Sequence, residues 1–372
     1  MAGTADPTDP KTWRRFVAPG LFVLLVAGTY LRSGHEAPAP DGDAPAAPAA
    51  VDTGPDLTEL SGEVFGTTFS VKVISQPDAP LDEPAVAQTI QRELNAIDAS
   101  MSTWKDDSEL SRLNRAPVGE AVSVSAPLFT VLELAAQVHG RSTGAFDVTV
   151  GPLVNRWGFG PDGRPATAPD DAELAALRAQ VGQQHLVLDA AGPTVTRQVD
   201  GLSADLSAIA KGYAVDRVSD ALLALGHDRH MVEIGGELRA RGDNGEGRPW
   251  RIAIEKPDTL KRTPFDVVGL RDEAMATSGD YRNYLELDGQ RVSHTIDPRN
   301  GRPVTHALAS VTVVADSCAQ ADAWATALTV LGPEEGAAVA DAHDVAATFL
   351  VRTGDGFTQS ATRAYQARFA AH

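Results

Sequence analysis

Asp205 and Asp216 flank Lys211 in the run Asp205-Leu206-Ser207-Ala208-Ile209-Ala210-Lys211-Gly212-Tyr213-Ala214-Val215-Asp216. This run sets two carboxylates and an ammonium into an otherwise apolar segment patterned like a helix start. Asp205 is placed to cap that helix, and Lys211 projects about two turns further along. Free amides at a helix N-terminus attract anions, so the arrangement could hold a phosphate-bearing ligand. An ordinary capped helix with a surface lysine has the same local pattern, and only its neighbours separate the two readings.

The segment Ala321-Asp322-Ala323-Trp324-Ala325-Thr326-Ala327-Leu328-Thr329-Val330-Leu331-Gly332 reads as a helix that is apolar almost all round, hence buried. Asp322 and Thr326 nevertheless lie four residues apart on one face of it. A buried carboxylate without a partner costs several kcal/mol, so Asp322 must either pair with a cationic side chain such as arginine or meet a metal ion. A carboxylate and a hydroxyl are hard oxygen donors that suit Mg²⁺, which takes few protein ligands and completes its shell with waters and substrate phosphate.

Three further stretches carry possible chemistry. In Ser142-Thr143-Gly144-Ala145-Phe146-Asp147, the glycine would let backbone approach a ligand closely and Thr143 offers a hydroxyl; a plain turn reads the same way. Met101-Ser102-Thr103-Trp104 puts an aromatic ring past a helix end, where it could stack on a planar heterocycle or join a core. Ala276 to Tyr284 forms a polar, aromatic turn entering a hairpin that carries His294. Strand alternation gives His294 the same face as Val292 and Ile296, so it points into the core or into a cleft.

The elements that hold these residues read as mixed α and β. Residues 64–74 alternate as a half-buried strand, and 84–101 place Val86, Ile90, Leu94, Ile97 and Met101 at helical spacing behind an Asp82 cap. A helix from Pro127 to about His139 is stopped by Gly140, strands follow at 185–188 and 194–199, and the helix after Asp205 ends near Gly226. Hairpin strands fill the later part: 231–234 with 237–240, 250–255, 265–270, and 284–287 with 292–296 joined at Asp288-Gly289. Tight turns between neighbouring strands imply antiparallel sheets and an α+β class.

The chain has 372 residues, 43% of them hydrophobic, enough for a sizeable core. Its one cysteine, Cys318, excludes an internal disulfide and reads as a small core residue. The formal charge is −18, of which residues 1–56 carry −3, so the acidity belongs to the body that follows. Such a chain lacks the basic face that nucleic acid requires. It also means that any bound phosphate must be offset locally by lysine, helix dipole or divalent cation.

Residues 1–15 supply the basic side chains Lys11, Arg14 and Arg15 ahead of an apolar run over 16–31, the form of an uncleaved membrane anchor or a signal peptide. Residues 32–56 are rich in Pro, Ala, Gly and Asp and read as a flexible tether. The basic flank places the body, 57–372, outside the cytoplasm.

Taken in order, Gly66-Thr67-Thr68-Phe69-Ser70, Met101-Ser102-Thr103-Trp104, Thr143-Gly144-Ala145-Phe146-Asp147 running on to Trp157-Gly158-Phe159-Gly160, Asp205 to Gly212, Glu233-Ile234-Gly235-Gly236-Glu237, Ser293-His294-Thr295-Ile296-Asp297-Pro298 and Ala321 to Thr326 resemble the FAD:protein FMN transferase family, the ApbE-like flavin transferases. The resemblance implies a single T-fold-like α+β catalytic domain facing the periplasm or outside from the inner membrane. It implies FAD as substrate and transfer of the FMN half to a Ser or Thr hydroxyl of an acceptor subunit in a membrane redox complex, releasing AMP. Carried over by position, Phe65, Ser102, Trp104, Thr143, Gly144, Ala145, Asp205, Lys211 and Ile296 would contact the flavin nucleotide. Asp322, Thr326 and the carbonyl of Ala208 would hold Mg²⁺. Phe65 stands where the family commonly has methionine. His294 is the candidate for taking the hydroxyl proton, because imidazole titrates near working pH, and Asp322 completes the catalytic pair. The same cleft could instead hydrolyse FAD to FMN and AMP, or simply bind FAD.

Overall fold

The computed structural model describes residues 57–75, 80–257, 263–279, 284–287, 290–354 and 356–369. The anchor and tether over 1–56, the Asp288-Gly289 turn and residues 280–283 lie outside the described residues. No helix among the described residues is long and apolar enough to cross a membrane.

The chain opens with a hairpin, β1 (Leu57–Val64) and β2 (Thr67–Ile74), followed by α1 (Glu83–Met101), α2 (Glu109–Arg115), β3 (Ala121–Ser123), α3 (Ala126–Arg141), α4 (Gly151–Trp157) and α5 (Asp171–Arg178). Next come β4 (Leu186–Asp189), β5 (Thr194–Arg197), α6 (Ala210–Ala224), β6 (His230–Ile234), β7 (Glu237–Arg241), β8 (Trp250–Glu255), β9 (Pro264–Leu270) and β10 (Glu273–Gly279). The last part holds β11 (Tyr284–Leu287), β12 (Gln290–Ser293), β13 (Ile296–Asp297), β14 (Arg302–Pro303), β15 (Leu308–Ala315), α7 (Cys318–Ala342), β16 (Ala346–Thr353), β17 (Gly356–Ala361) and α8 (Arg363–Phe369).

An eight-stranded sheet in the order β1-β2-β6-β7-β10-β15-β16-β17 is the frame, and its pairings are antiparallel. Alternate side chains go to opposite faces of a strand, so each central strand feeds two cores. Phe69, Val71, Val232, Ile234, Ala276, Val313 and Phe349 pack under α1, α3, α6 and α7. Met231, Leu238, Met275, Val314 and Leu350 face the β8–β9 ribbon and α8 instead. A smaller apolar cluster joins Leu153, Trp157 and Leu174 of α4 and α5 to Leu287, Val292 and Ile296.

The α+β class and antiparallel sheets stand as expected, with local differences. The single strand expected over 64–74 is a hairpin turning at Phe65 and Gly66, both left-handed at φ 50° and 73°. Gly140 lies within α3, which runs to Arg141 and is capped by the Ser142 amide donating to the Val138 carbonyl at 2.8 Å. The helix expected to end at Gly332 kinks there, at φ 79° and ahead of Pro333, then resumes to Ala342. The expected strand 292–296 is broken: β12 ends at Ser293 and β13 begins at Ile296. Asp82 caps α1 as expected, its Oδ1 accepting from the Ala85 amide at 3.2 Å. Cys318 is fully buried.

Candidate active site at the junction of α6 and α7

The site starts from a close approach of two helices. A Cβ on Gly212 would lie 2.3 Å from the carbonyl oxygen of Cys318, so only glycine lets the first turn of α6 press against the start of α7. Across that contact the Gly212 amide donates to Asp322 Oδ2 at 3.0 Å. Asp216, one turn further along α6, accepts the Cys318 and Ala319 amides at 2.9 Å each and so ties down the N-terminus of α7. It is itself paired with Arg239 Nη1 of β7 at 2.5 Å.

Asp322 is 2% exposed and has Lys211 Nζ at 3.7 Å; the same ammonium lies 3.1 Å from Glu237 Oε1 on β7. The partner of Asp322 is thus a lysine shared with a second carboxylate, where the sequence pointed to an arginine or a metal ion. Burial works against charge on all three groups. It raises the pKa of both carboxyls, but Asp322 and Glu237 together outweigh it at Lys211, whose pKa is held above the ordinary lysine value.

Thr326, one turn along α7 from Asp322, opens onto a narrow cleft of about 50 Å³. Its walls are Ala145 to Val148 and Val150 on one side, Asp205, Ser207 and Ala208 ahead of α6, Ile296 and Pro298 from the β13 turn, and Thr326 and Val330 of α7. The Asp205 amide donates to the Val148 carbonyl at 2.7 Å, and a Cβ on Gly151 would sit 2.5 Å from the Ser203 carbonyl oxygen, which draws the first two walls together. Ser278 Oγ of β10 lies 3.4 Å from Thr326 Oγ1.

This donor set suits a hard divalent cation. One carboxylate in a nearly closed site, one hydroxyl and the exposed end of a helix-start loop are oxygen donors, and the space beside them admits a few waters or phosphate oxygens. No group of three or more His, Cys, Asp or Glu side chains able to hold a metal occurs among the described residues, so such an ion would depend on substrate oxygens to complete its shell.

Ala145, Asp205, Ala208, Ile296 and Thr326 line one cleft, whereas Asp322 and Lys211 are not among its lining residues and pair with each other at the α6–α7 junction, one helical turn from Thr326. Phe65 is half-buried at the β1–β2 turn and packs on the main core. Thr143 and Gly144 form a left-handed turn at φ 54° and 79°; Thr143 is exposed and its hydroxyl donates to the Ser142 carbonyl at 2.7 Å. Ser102 caps the end of α1, with Oγ accepting from the Trp104 amide at 3.2 Å, while Trp104 itself is 71% exposed and joins no core.

Two expectations are corrected. Asp205 does not cap α6: the helix begins at Ala210, and Asp205 Oδ1 accepts from the Ser207 amide at 2.8 Å, making a turn that turns Ser207 and Ala208 toward the cleft. Asp216, the other carboxylate of that run, faces Arg239 and the start of α7. His294 also lies in a bend rather than on a strand face with Val292 and Ile296. It is half-buried, with its ring edge-on to Phe159 at 6.3 Å, two residues ahead of the cleft-lining Ile296. Residues that went unassigned are Glu237, Gly212 and Asp147. Asp147 lines the cleft and accepts from the Thr149 and Gln183 amides at 2.8 and 3.1 Å. Glu237 and Asp147 both stood inside quoted motifs, and the available signal was an acidic residue in an otherwise apolar or turn segment.

The profile of the ApbE family matches residues 65–349, which takes in every wall of this cleft. The chain belongs to the ApbE family. An ApbE relative in Vibrio cholerae (serotype O1), described as an FAD:protein FMN transferase, is 46% identical over 311 residues, 84% of this chain and 92% of its own length. One from Klebsiella pneumoniae with the same description is 42% identical over 315 residues, 84% of this chain and 88% of its own. The solved structure of the flavin transferase ApbE from Vibrio cholerae superposes with a TM-score of 0.78 at 44% identity, over 84% of this chain and 99% of that one. The apo flavinyl transferase ApbE from Pseudomonas stutzeri gives 0.79 at 41% identity, over 87% and 99%.

Proposed function

We propose that this ApbE-family chain is an FAD:protein FMN transferase that uses Mg²⁺ and releases AMP. The observation that carries the reading is the convergence of Ala208 and Thr326 on one cleft, with Asp322 one helical turn from Thr326, within a chain 46% identical to a named FAD:protein FMN transferase. Asp322, Thr326 and the Ala208 carbonyl would hold the ion. When bound it would neutralise charge on the diphosphate and on departing AMP. Asp205, Lys211, Ala145, Gly144, Thr143 and Ile296 would orient the nucleotide, with Phe65, Ser102 and Trp104 toward the flavin.

The acceptor's Ser or Thr oxygen forms a bond to the FMN phosphorus as the bond from that phosphorus to the bridging oxygen breaks, and AMP carries that oxygen away. The hydroxyl proton passes to His294, which stands in the bend between β12 and β13. The partner would be a membrane redox subunit bearing a Ser/Thr motif, met on the outer side of the inner membrane if 16–31 anchors the chain. Incubation with FAD, Mg²⁺ and an acceptor is the test. Covalent flavin fluorescence on the acceptor supports transfer; free FMN with no labelled acceptor would make the chain a hydrolase, and unchanged FAD a binding protein. His294→Gly should lower transfer by at least about 100-fold while FAD binding persists, and unchanged turnover would remove it from the mechanism.

A further inference from the structure

Glu237 is the first residue of β7 after the Gly235-Gly236 turn, is 5% exposed, and has no role in the reading above. Its Oε1 is 3.1 Å from Lys211 Nζ, closer than Asp322 Oδ2 at 3.7 Å. Its Oε2 is buried without a hydrogen-bond partner, 3.5 Å from where a side chain on Gly235 would begin. A buried carboxylate that spends one oxygen on a single ammonium and leaves the other unsatisfied is costly, which calls for a compensating use.

The electrostatics supply one. Asp322 and Glu237 set two carboxyl groups around the single Lys211 ammonium. With Asp322 as its only carboxylate, the Lys211 ammonium would close on that group and compete with a cation for it. With Glu237 in place, the ammonium has a nearer partner on β7, and Asp322 is left with the longer contact. We infer that Glu237 is a positioning residue that holds the Lys211 ammonium off Asp322 and so keeps the Asp322 carboxylate available to a divalent cation. The inference rests on the cation site proposed above. It also gives the Glu233-Ile234-Gly235-Gly236-Glu237 turn a purpose, since that turn sets where β7 begins.

Direct titration with Mn²⁺, read as loss of the free-ion electron paramagnetic resonance signal, tests this without turnover. E237Q should weaken Mn²⁺ binding by about 10-fold or more, the usual cost of losing a group that orients a ligand, and E237D should recover part of the loss. The deciding measurement is the same Glu237→Gln change made together with K211M. If Glu237 acts through Lys211, the change should then cost less than about 3-fold, because the competing ammonium is gone. Equal losses with and without Lys211 would mean a through-space charge effect and would overturn the inference. So would wild-type affinity in a folded E237Q. D322A binding Mn²⁺ as tightly as wild type would show that the cation sits elsewhere, sinking the site and the inference together.

Discussion

Two buried aspartates stand at the same helix junction and do opposite things. Asp216 is fully engaged: both oxygens take amides from the start of α7 at 2.9 Å and Oδ1 also takes Arg239 at 2.5 Å. Asp322 has one amide, from Gly212, and a lysine at 3.7 Å that lies closer to another acid. Burial raises the pKa of both above the ordinary aspartate value, so desolvation does not distinguish them. What differs is how completely the protein's own donors satisfy each one. A saturated carboxylate holds structure, and an undersaturated one beside a cleft is poised to bind.

The difference is most directly broken by substitution at each. Asp322→Ala should lower transfer on the order of 1,000-fold while leaving a folded protein, because Lys211 retains Glu237. A variant as active as wild type would refute the assignment. Asp216→Ala should do the reverse, costing about 3–5 kcal/mol in denaturant unfolding by stranding Arg239 as a buried unpaired charge and freeing the α7 amides. An Asp216 variant with wild-type stability but no activity would reverse the two roles.

Gly212→Ala sharpens the comparison by pressing on both aspartates at once. The added methyl would lie 2.3 and 2.6 Å from the Cys318 carbonyl oxygen and carbon and 2.8 Å from the Ala319 nitrogen, all backbone atoms that cannot swing away. The helices must separate, at about 1–3 kcal/mol, and the Gly212 amide is drawn off Asp322. Thermal unfolding and Mg²⁺ dependence should therefore worsen together. A loss of stability with an unchanged Mg²⁺ requirement would mean that the junction does not set the Asp322 position.

The sequence made the chemistry of Asp322 legible through contrast, since a single acid in an apolar helix advertises itself. It could not show which cation answers it, because Lys211 and Glu237 reach Asp322 from a different helix and a strand over long sequence separations. Asp205 misled for a related reason. It fits a helix start locally, but its own turn with Ser207 delays the helix to Ala210. The β1–β2 turn was missed because Phe65 adopts φ 50°, where a bulky residue rarely sits and nothing in its type announces it. The β6–β7 hairpin, with its Gly235-Gly236 turn, and the Asp82-capped amphipathic α1 were legible because their signals are local.

The far end of α6 offers the smallest and most separable test. His230 of β6 is fully buried against α6, with Nε2 2.7 Å from Ser219 Oγ and Nδ1 2.8 Å from the His227 carbonyl oxygen. Burial, with Arg241, Arg239 and His227 adding to it against the opposing His227 carbonyl, lowers its pKa to about 4. The folded protein thus holds the ring neutral while the unfolded chain takes up a proton near the ordinary 6.5. Its contribution is complete above about pH 6.5, declines as the pH falls toward 4, and changes no further below that. One unit under the unfolded value the loss is about 1 kcal/mol. The melting temperature of the wild type should therefore fall from pH 7 to 5.5 more steeply than that of His230→Gln, whatever the variant's stability at pH 7. Identical slopes would clear His230 of the acid sensitivity, and the carboxylates of the α6–α7 junction could not take its place, because burial raises their pKa and a raised carboxyl gains a proton on folding, which adds stability as the pH falls.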